Sequence, residues 1–182
     1  MALPNRKAQR LKDFDYSSAG AYFITICVNE NRRILSVISY SRTARRDSPC
    51  GCPQIELSEL GVICAETVPV IEEKYGVAIT DYMIMPNHIH LILWLPEAER
   101  TTARVVPTVS AVIGAYKSVV AMRWLQVCKA HGKRMHTLWE RSFYDHIIRD
   151  DEDLYCKQRY IQENPIRWCM KNSLTTPSEQ MF

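Results

Sequence analysis

Met85-Pro86-Asn87-His88-Ile89-His90-Leu91-Ile92-Leu93-Trp94 is the stretch that organises the chain. Apolar residues on both sides of the two histidines mark a strand, and Val77 to Met85 before it reads as a second one. The Pro86-Asn87 connection is too short for a crossover, so the two strands are expected to be antiparallel neighbours. Side chains alternate along a strand, which sends both imidazoles to the same face of the sheet. Two neutral imidazoles on a rigid sheet are a natural bidentate platform for a divalent metal ion. Taken alone, the pattern reads more readily as a strand whose polar face happens to carry two histidines, because short motifs recur by chance.

Upstream, Gly20 to Val28 is rich in β-branched and aromatic residues and predicts a buried strand. Ile34 to Ile38 suggests a short partner strand, and Ser39 to Gln54 a polar insertion loop. Leu57, Leu60, Cys64, Val68, Ile71 and Tyr75 fall at three- and four-residue spacings and line one helix face. Pro69 is expected to kink or split that helix and Gly76 to end it. After a polar linker from Pro96 to Val106, Pro107 is placed to open another helix, whose apolar face runs from Val109 to Val127. His146-Ile147-Ile148 is β-prone. Asp150 then caps a last helix, expected to end near Asn164 because Pro165 disfavours helical geometry before it. The order strand, helix, strand, strand, helix, strand, helix is an α+β pattern. A ferredoxin-like βαββαβ arrangement fits it best, with a mainly antiparallel sheet, helices on one face and an added C-terminal helix.

The 182 residues suit one domain, and 24% charged and 47% apolar residues are ordinary values for a globular chain. The expected division is a basic arm at 1–19, a domain at 20–168 with the insertion loop at 39–54, and a tail at 169–182. No apolar run reaches the roughly 18 residues that span a bilayer. Met1 to Lys7 carries no apolar signal core, so the expected location is the cytoplasm and no membrane partner is expected. Seven cysteines form no paired Cys-x-x-Cys knuckles. Cys50-Gly51-Cys52 is the one close pair, more easily read as a reduced loop than as a metal or redox site. The net charge of +3 is mild, but it is clustered. Arg6 and Arg10 in the arm, Lys117, Arg123, Lys133, Arg134 and Arg149 are candidates for phosphate contacts, each also readable as solvated surface charge.

In the last helix, Tyr160 and Asn164 are four residues apart and share a face. A tyrosine is a capable nucleophile toward phosphorus when a metal ion polarises the phosphate, and an asparagine carbonyl can ligate that metal. The competing reading is a tyrosine packed in the core and an asparagine capping the helix end.

His88-Ile89-His90 after Met85-Pro86-Asn87 resembles the His-hydrophobic-His (HUH) motif of single-strand DNA nucleases. Trp139 to Asp150, continuing to Tyr160-Ile161-Gln162-Glu163-Asn164-Pro165, resembles the C-terminal block of the REP-associated tyrosine transposases, within the single-tyrosine HUH transposases. The resemblance spans about Tyr22 to Trp168. It implies a ferredoxin-like fold whose central strand carries the histidines, with Tyr160 as catalytic nucleophile. It also implies Mg²⁺ or Mn²⁺ held by His88, His90 and Asn164, with Glu163 beside Asn164 as the other candidate ligand. The implied activity is nicking and strand transfer on single-stranded or hairpin DNA through a 5′-phosphotyrosine, by a monomer or a homodimer. A histidine-triad hydrolase is disfavoured, because the next alternating position is Ile92. A replication-initiator nickase and a non-catalytic DNA-binding regulator derived from a transposase share the same signals.

Overall fold

The computed structural model describes residues 18–40, 53–97 and 107–173. Its elements are β1 (Gly20–Cys27), β2 (Ser36–Tyr40), β3 (Pro53–Leu57), α1 (Glu59–Tyr75), β4 (Ala78–Ile84), β5 (His88–Leu95), α2 (Val109–Ala130), β6 (Tyr144–Ile147) and α3 (Asp151–Ser173). Four strands form one sheet in the order β4-β5-β1-β6, and β2 and β3 make a separate hairpin. Every neighbour in the main sheet is antiparallel. With the hairpin set aside, this is the ferredoxin-like βαββαβ order.

Burial follows from strand alternation. Tyr22, Ile24 and Ile26 of β1, with Ile89, Leu91 and Leu93 of β5, face the large core beneath α1 and α2. Leu60, Cys64, Val68 and Ile71 of α1 close that core, together with Val109, Val112, Ile113, Tyr116 and Val120 of α2. The opposite face carries a smaller cluster of Ala21, Ile92 and Ile161, packed against Phe23, Met83, Ile148 and Leu154. Since Ile161 and Leu154 belong to α3, the added helix covers the face that α1 and α2 leave open. That face also carries His88 and His90.

The α1 helix starts where Ser58 accepts from Gly61 N–H at 3.0 Å and stops at the left-handed Gly76 (φ 64°). A Cβ on Gly61 would stand 2.1 Å from the Leu35 carbonyl oxygen, so only glycine allows the β1–β2 connection to cross the helix there. Asp150 caps α3 by accepting from Asp153 N–H at 2.8 Å, as the acidic first turn suggests.

Several expectations are corrected. Pro69 does not split α1, which runs unbroken through it. Pro107 is not the first helical residue, because Thr108 is the cap of α2 and Val109 begins it. The strand expected at Ile34 to Ile38 is shifted to Ser36–Tyr40 and pairs with β3, not with β1. Within the insertion loop, Ser39, Tyr40, Pro53 and Gln54 are strand residues; 41–52, with Cys50 and Cys52, lie outside the described residues. The last helix does not end at Asn164. It passes through Pro165 to Ser173, so the boundary at Trp168 falls inside it. An interior proline costs about 3 kcal/mol. Contacts beyond it offset that cost: Arg33 lies over Trp168 and donates to Asn172 Oδ1 at 2.9 Å.

Candidate active site

The site is built on the β1–β5 ladder. His88 and His90 stand on one face of β5, and their Nε2 atoms are 3.0 Å apart. Thr25 is the register partner of His90, and its Oγ1 lies 2.9 Å from His90 Nδ1. His88 Nδ1 is 2.6 Å from Asn87 Oδ1, and Asn87 Nδ2 donates to Asn31 Oδ1. Phe23, two residues before Thr25 and so on the same face, stacks against the His90 ring at 5.2 Å.

From above, α3 delivers the other half. Ile161 anchors the helix in the small core, which turns Tyr160 and Asn164 toward the histidines. The Asn164 amide is buried, with Nδ2 3.2 Å from His90 Nε2. The Tyr160 ring meets His90 edge-on at 5.2 Å and Phe23 at 5.8 Å. It remains 37% exposed, open to a large substrate. Glu163 points elsewhere: its carboxylate accepts from Arg159 at 2.6 Å and from Arg167 at 2.7 Å. Those two hydrogen bonds hold it below the ordinary carboxylate range.

Burial pushes His88 down to about 4. Burial, reinforced by the neighbouring His88, pushes His90 down to about 3. Both rings are therefore neutral at pH 7, the form that binds metals. An octahedral Mg²⁺-sized ion holds its ligands at about 2.1 Å, which places adjacent donors about 3 Å apart. The Nε2 separation matches that spacing. No group of three or more His, Cys, Asp or Glu side chains suited to a metal occurs among the described residues. Two imidazoles and the Asn164 amide are the donors brought together here that could hold an ion, the amide oxygen facing it after a flip.

The candidate phosphate-binding residues do not converge on this site as a group. Lys117 directs its ammonium at the carbonyls of Glu140, Arg141 and Ser142 at 2.6, 3.4 and 3.3 Å, which occupies all three of its donors. Arg123 pairs with Glu66 and Thr67 across the α1–α2 layer, on the far side of the sheet. Lys133, Arg134 and Arg149 are exposed, and Arg6 and Arg10 lie outside the described residues. Three other cations among the described residues stand beside the site, of which Arg33 belongs to a basic cluster visible in the sequence. Arg167 lies 5.6 Å over the Tyr160 ring, Lys157 5.7 Å over Phe23, and Arg33 5.2 Å over Trp168, whose ring is 6.2 Å from His88. Helical spacing from Tyr160 would have found Lys157 and Arg167. Thr25 required the register.

Fold and site together define a ferredoxin-like domain with a tyrosine set beside a paired-histidine strand. Residues 58–164, well over half of the chain, match the family described as "Transposase IS200 like". The chain belongs to the IS200-like transposase family. It is 29% identical to an uncharacterized protein of Haemophilus influenzae, with 90% of each chain covered. It is 27% identical to a putative REP-associated tyrosine transposase of the same organism, over 84% of this chain and 74% of the relative. Among solved structures, a REP-associated tyrosine transposase bound to a REP hairpin superposes with a TM-score of 0.53 at 16% identity. That comparison covers 87% of this chain and 74% of the other, and shows the shared fold. The described residues contain no helix long and apolar enough to cross a membrane.

Proposed function

We propose that the protein is a REP-associated-type tyrosine transposase that nicks and rejoins single-stranded DNA beside a hairpin. The carrying observation is the placement of Tyr160, 5.2 Å ring to ring from His90 and one helical turn from Asn164. His88, His90 and Asn164 would hold a divalent cation, Mg²⁺ or Mn²⁺. When bound, that ion supplies charge neutralisation at the non-bridging oxygens of the scissile phosphate.

Tyr160 Oη attacks the phosphorus in line. An O–P bond forms to the tyrosine, the P–O3′ bond breaks, and the phenolic proton is balanced by the one gained at the released 3′-hydroxyl. The product is a 5′-phosphotyrosine. Attack by another 3′-hydroxyl reverses the bond and joins strands without ATP, since the ester is conserved. Arg167 and Lys157 flank the tyrosine and suit the strand's phosphates. Arg33 on Trp168 offers a guanidinium plane of the kind on which unpaired bases stack. The relative solved with a REP hairpin supports hairpin-flanked DNA as the substrate.

Incubation with labelled single strands flanking a hairpin, in Mn²⁺, tests this on a denaturing gel. A slow-migrating covalent adduct is expected with the single strand and not with the matched duplex. If the single strand gives none, catalysis is excluded and a DNA-binding module remains.

A further inference from the structure

A hydrogen-bonded path leads to His88 from a strained turn on the far side of the Pro86-Asn87 connection. Directly after β1, Glu30 and Asn31 both adopt positive φ, 58° and 57°. Non-glycine residues rarely enter this left-handed region, and two in succession require surrounding contacts to hold them. Those contacts run to the connection itself: Val28 N–H donates to Asn87 O at 2.9 Å and Leu35 N–H to Pro86 O at 3.0 Å. The strained turn delivers the Asn31 side chain to Asn87, whose Nδ2 donates to Asn31 Oδ1. With its nitrogen so engaged, Asn87 turns Oδ1 to His88 Nδ1, 2.6 Å away.

The consequence lies in which ring nitrogen carries the proton. An amide oxygen only accepts, so Nδ1 of His88 must be the protonated nitrogen, and Nε2 presents its lone pair toward His90. His90 is held differently. Its Nδ1 faces the Thr25 hydroxyl, which can give or take a hydrogen bond. His90 can therefore move its proton between nitrogens by a hydroxyl rotation, whereas His88 is committed.

We propose that Asn31 and Asn87 are positioning residues for the metal site: Asn87 fixes His88 in the Nδ1–H tautomer, and Asn31 is kept left-handed to hold the Asn87 amide in the orientation that does so. This rests on the assignment of His88 and His90 as the metal-binding pair. Partners of this kind are worth about 10- to 100-fold in metal affinity.

The test uses the full chain and two measurements. First, long-range ¹H–¹⁵N NMR of the metal-free protein reads the tautomer directly, and His88 is expected to carry its proton on Nδ1. Second, Mn²⁺ affinity is measured by titration for Asn31→Gly, Asn31→Asp and Asn87→Asp. Glycine accepts the left-handed backbone at no steric cost, which offsets part of the hydrogen bond lost from Asn87, so Asn31→Gly should remain folded while binding Mn²⁺ about 10-fold or more weakly. Asn31→Asp, which keeps an acceptor oxygen for Asn87, and Asn87→Asp, which keeps one for His88, should stay within a few-fold of the parent. An Nε2–H tautomer at His88, or an Asn31→Gly variant with parental Mn²⁺ affinity, overturns the proposal. A parent protein whose Mn²⁺ binding survives His88→Ala with His90→Ala overturns the underlying metal assignment instead.

Discussion

Thr25 stands directly across the β1–β5 ladder from His90, and its hydroxyl lies 2.9 Å from the ring nitrogen that points away from the site. The first strand of the fold thereby orients a side chain of the strand that carries the motif. His90 is only 4% exposed, so an unpartnered Nδ1 has no water to turn to. Thr25→Val, which keeps the shape and removes the hydroxyl, is expected to cost about 1–3 kcal/mol in urea unfolding and to weaken Mn²⁺ binding. Thr25→Ser should recover most of both. Equal behaviour of Val and Ser would contradict this.

The histidines also set how stability depends on pH. Their folded values, about 4 and about 3, lie below the ordinary value of 6.5 because burial disfavours the charged ring. Their contribution is therefore complete above pH 6.5. It is lost as acid protonates the unfolded chain but not the folded one, over the window from 6.5 down to about 4 for His88 and about 3 for His90. Between pH 7 and 4.5 the parent should lose about 5 kcal/mol more than a His88→Gln, His90→Gln double variant, about half from each ring. Parallel urea midpoints for the two proteins would show that the rings are not held neutral.

Lysines and arginines divide into two groups with opposite signatures. Lys117 is committed to three carbonyls, and desolvation lowers its proton affinity. Lys117→Met should cost about 1–3 kcal/mol of stability and leave the salt dependence of DNA binding unchanged. Arg167→Ala should do the reverse, reducing the log–log salt slope by about 1 with little effect on unfolding, while Arg33→Ala should lower the slope similarly and also destabilise the end of α3. Slopes measured by fluorescence anisotropy over a salt series separate the groups.

Gly61 tests the packing between the two layers. The Leu35 carbonyl occupies the space a side chain would need, and it is backbone, unable to rotate aside. Gly61→Ala is expected to destabilise by about 3 kcal/mol despite alanine's better helix propensity. A stabilised variant would mean that the crossing yields easily.

Much of the architecture is legible locally. Alternation in Tyr22 to Ile26 and in Ile89 to Leu95, the Ser58 cap and the Gly76 terminator each act within a few residues, so sequence pattern finds them. The β2–β3 hairpin is not, because its short strands, half-buried at alternate positions, depend on a partner across residues 41–52. Pro165 misleads for a similar reason: local geometry argues for an end, while Arg33, over one hundred and thirty residues earlier, holds the continuation through Trp168 and Asn172. In the site, spacing and family resemblance reach His88, His90, Tyr160 and Asn164. Geometry separates Asn164 from Glu163, since one amide lies against His90 and the other side chain is taken by two arginines. Asn31 and Thr25 become visible only once register and turn conformation are known.

In the proposed reaction Tyr160 makes the bond to DNA. It is not the most exposed tyrosine; Tyr155 at 63% and Tyr144 at 49% are more accessible. Proteolysis of the covalent protein–oligonucleotide complex, followed by mass spectrometry of the nucleotide-bearing peptide, reads the attachment point directly. A 5′-phosphate ester on Tyr160 is expected, absent in Tyr160→Phe. Attachment at any other residue, or an adduct that persists in Tyr160→Phe, would contradict it.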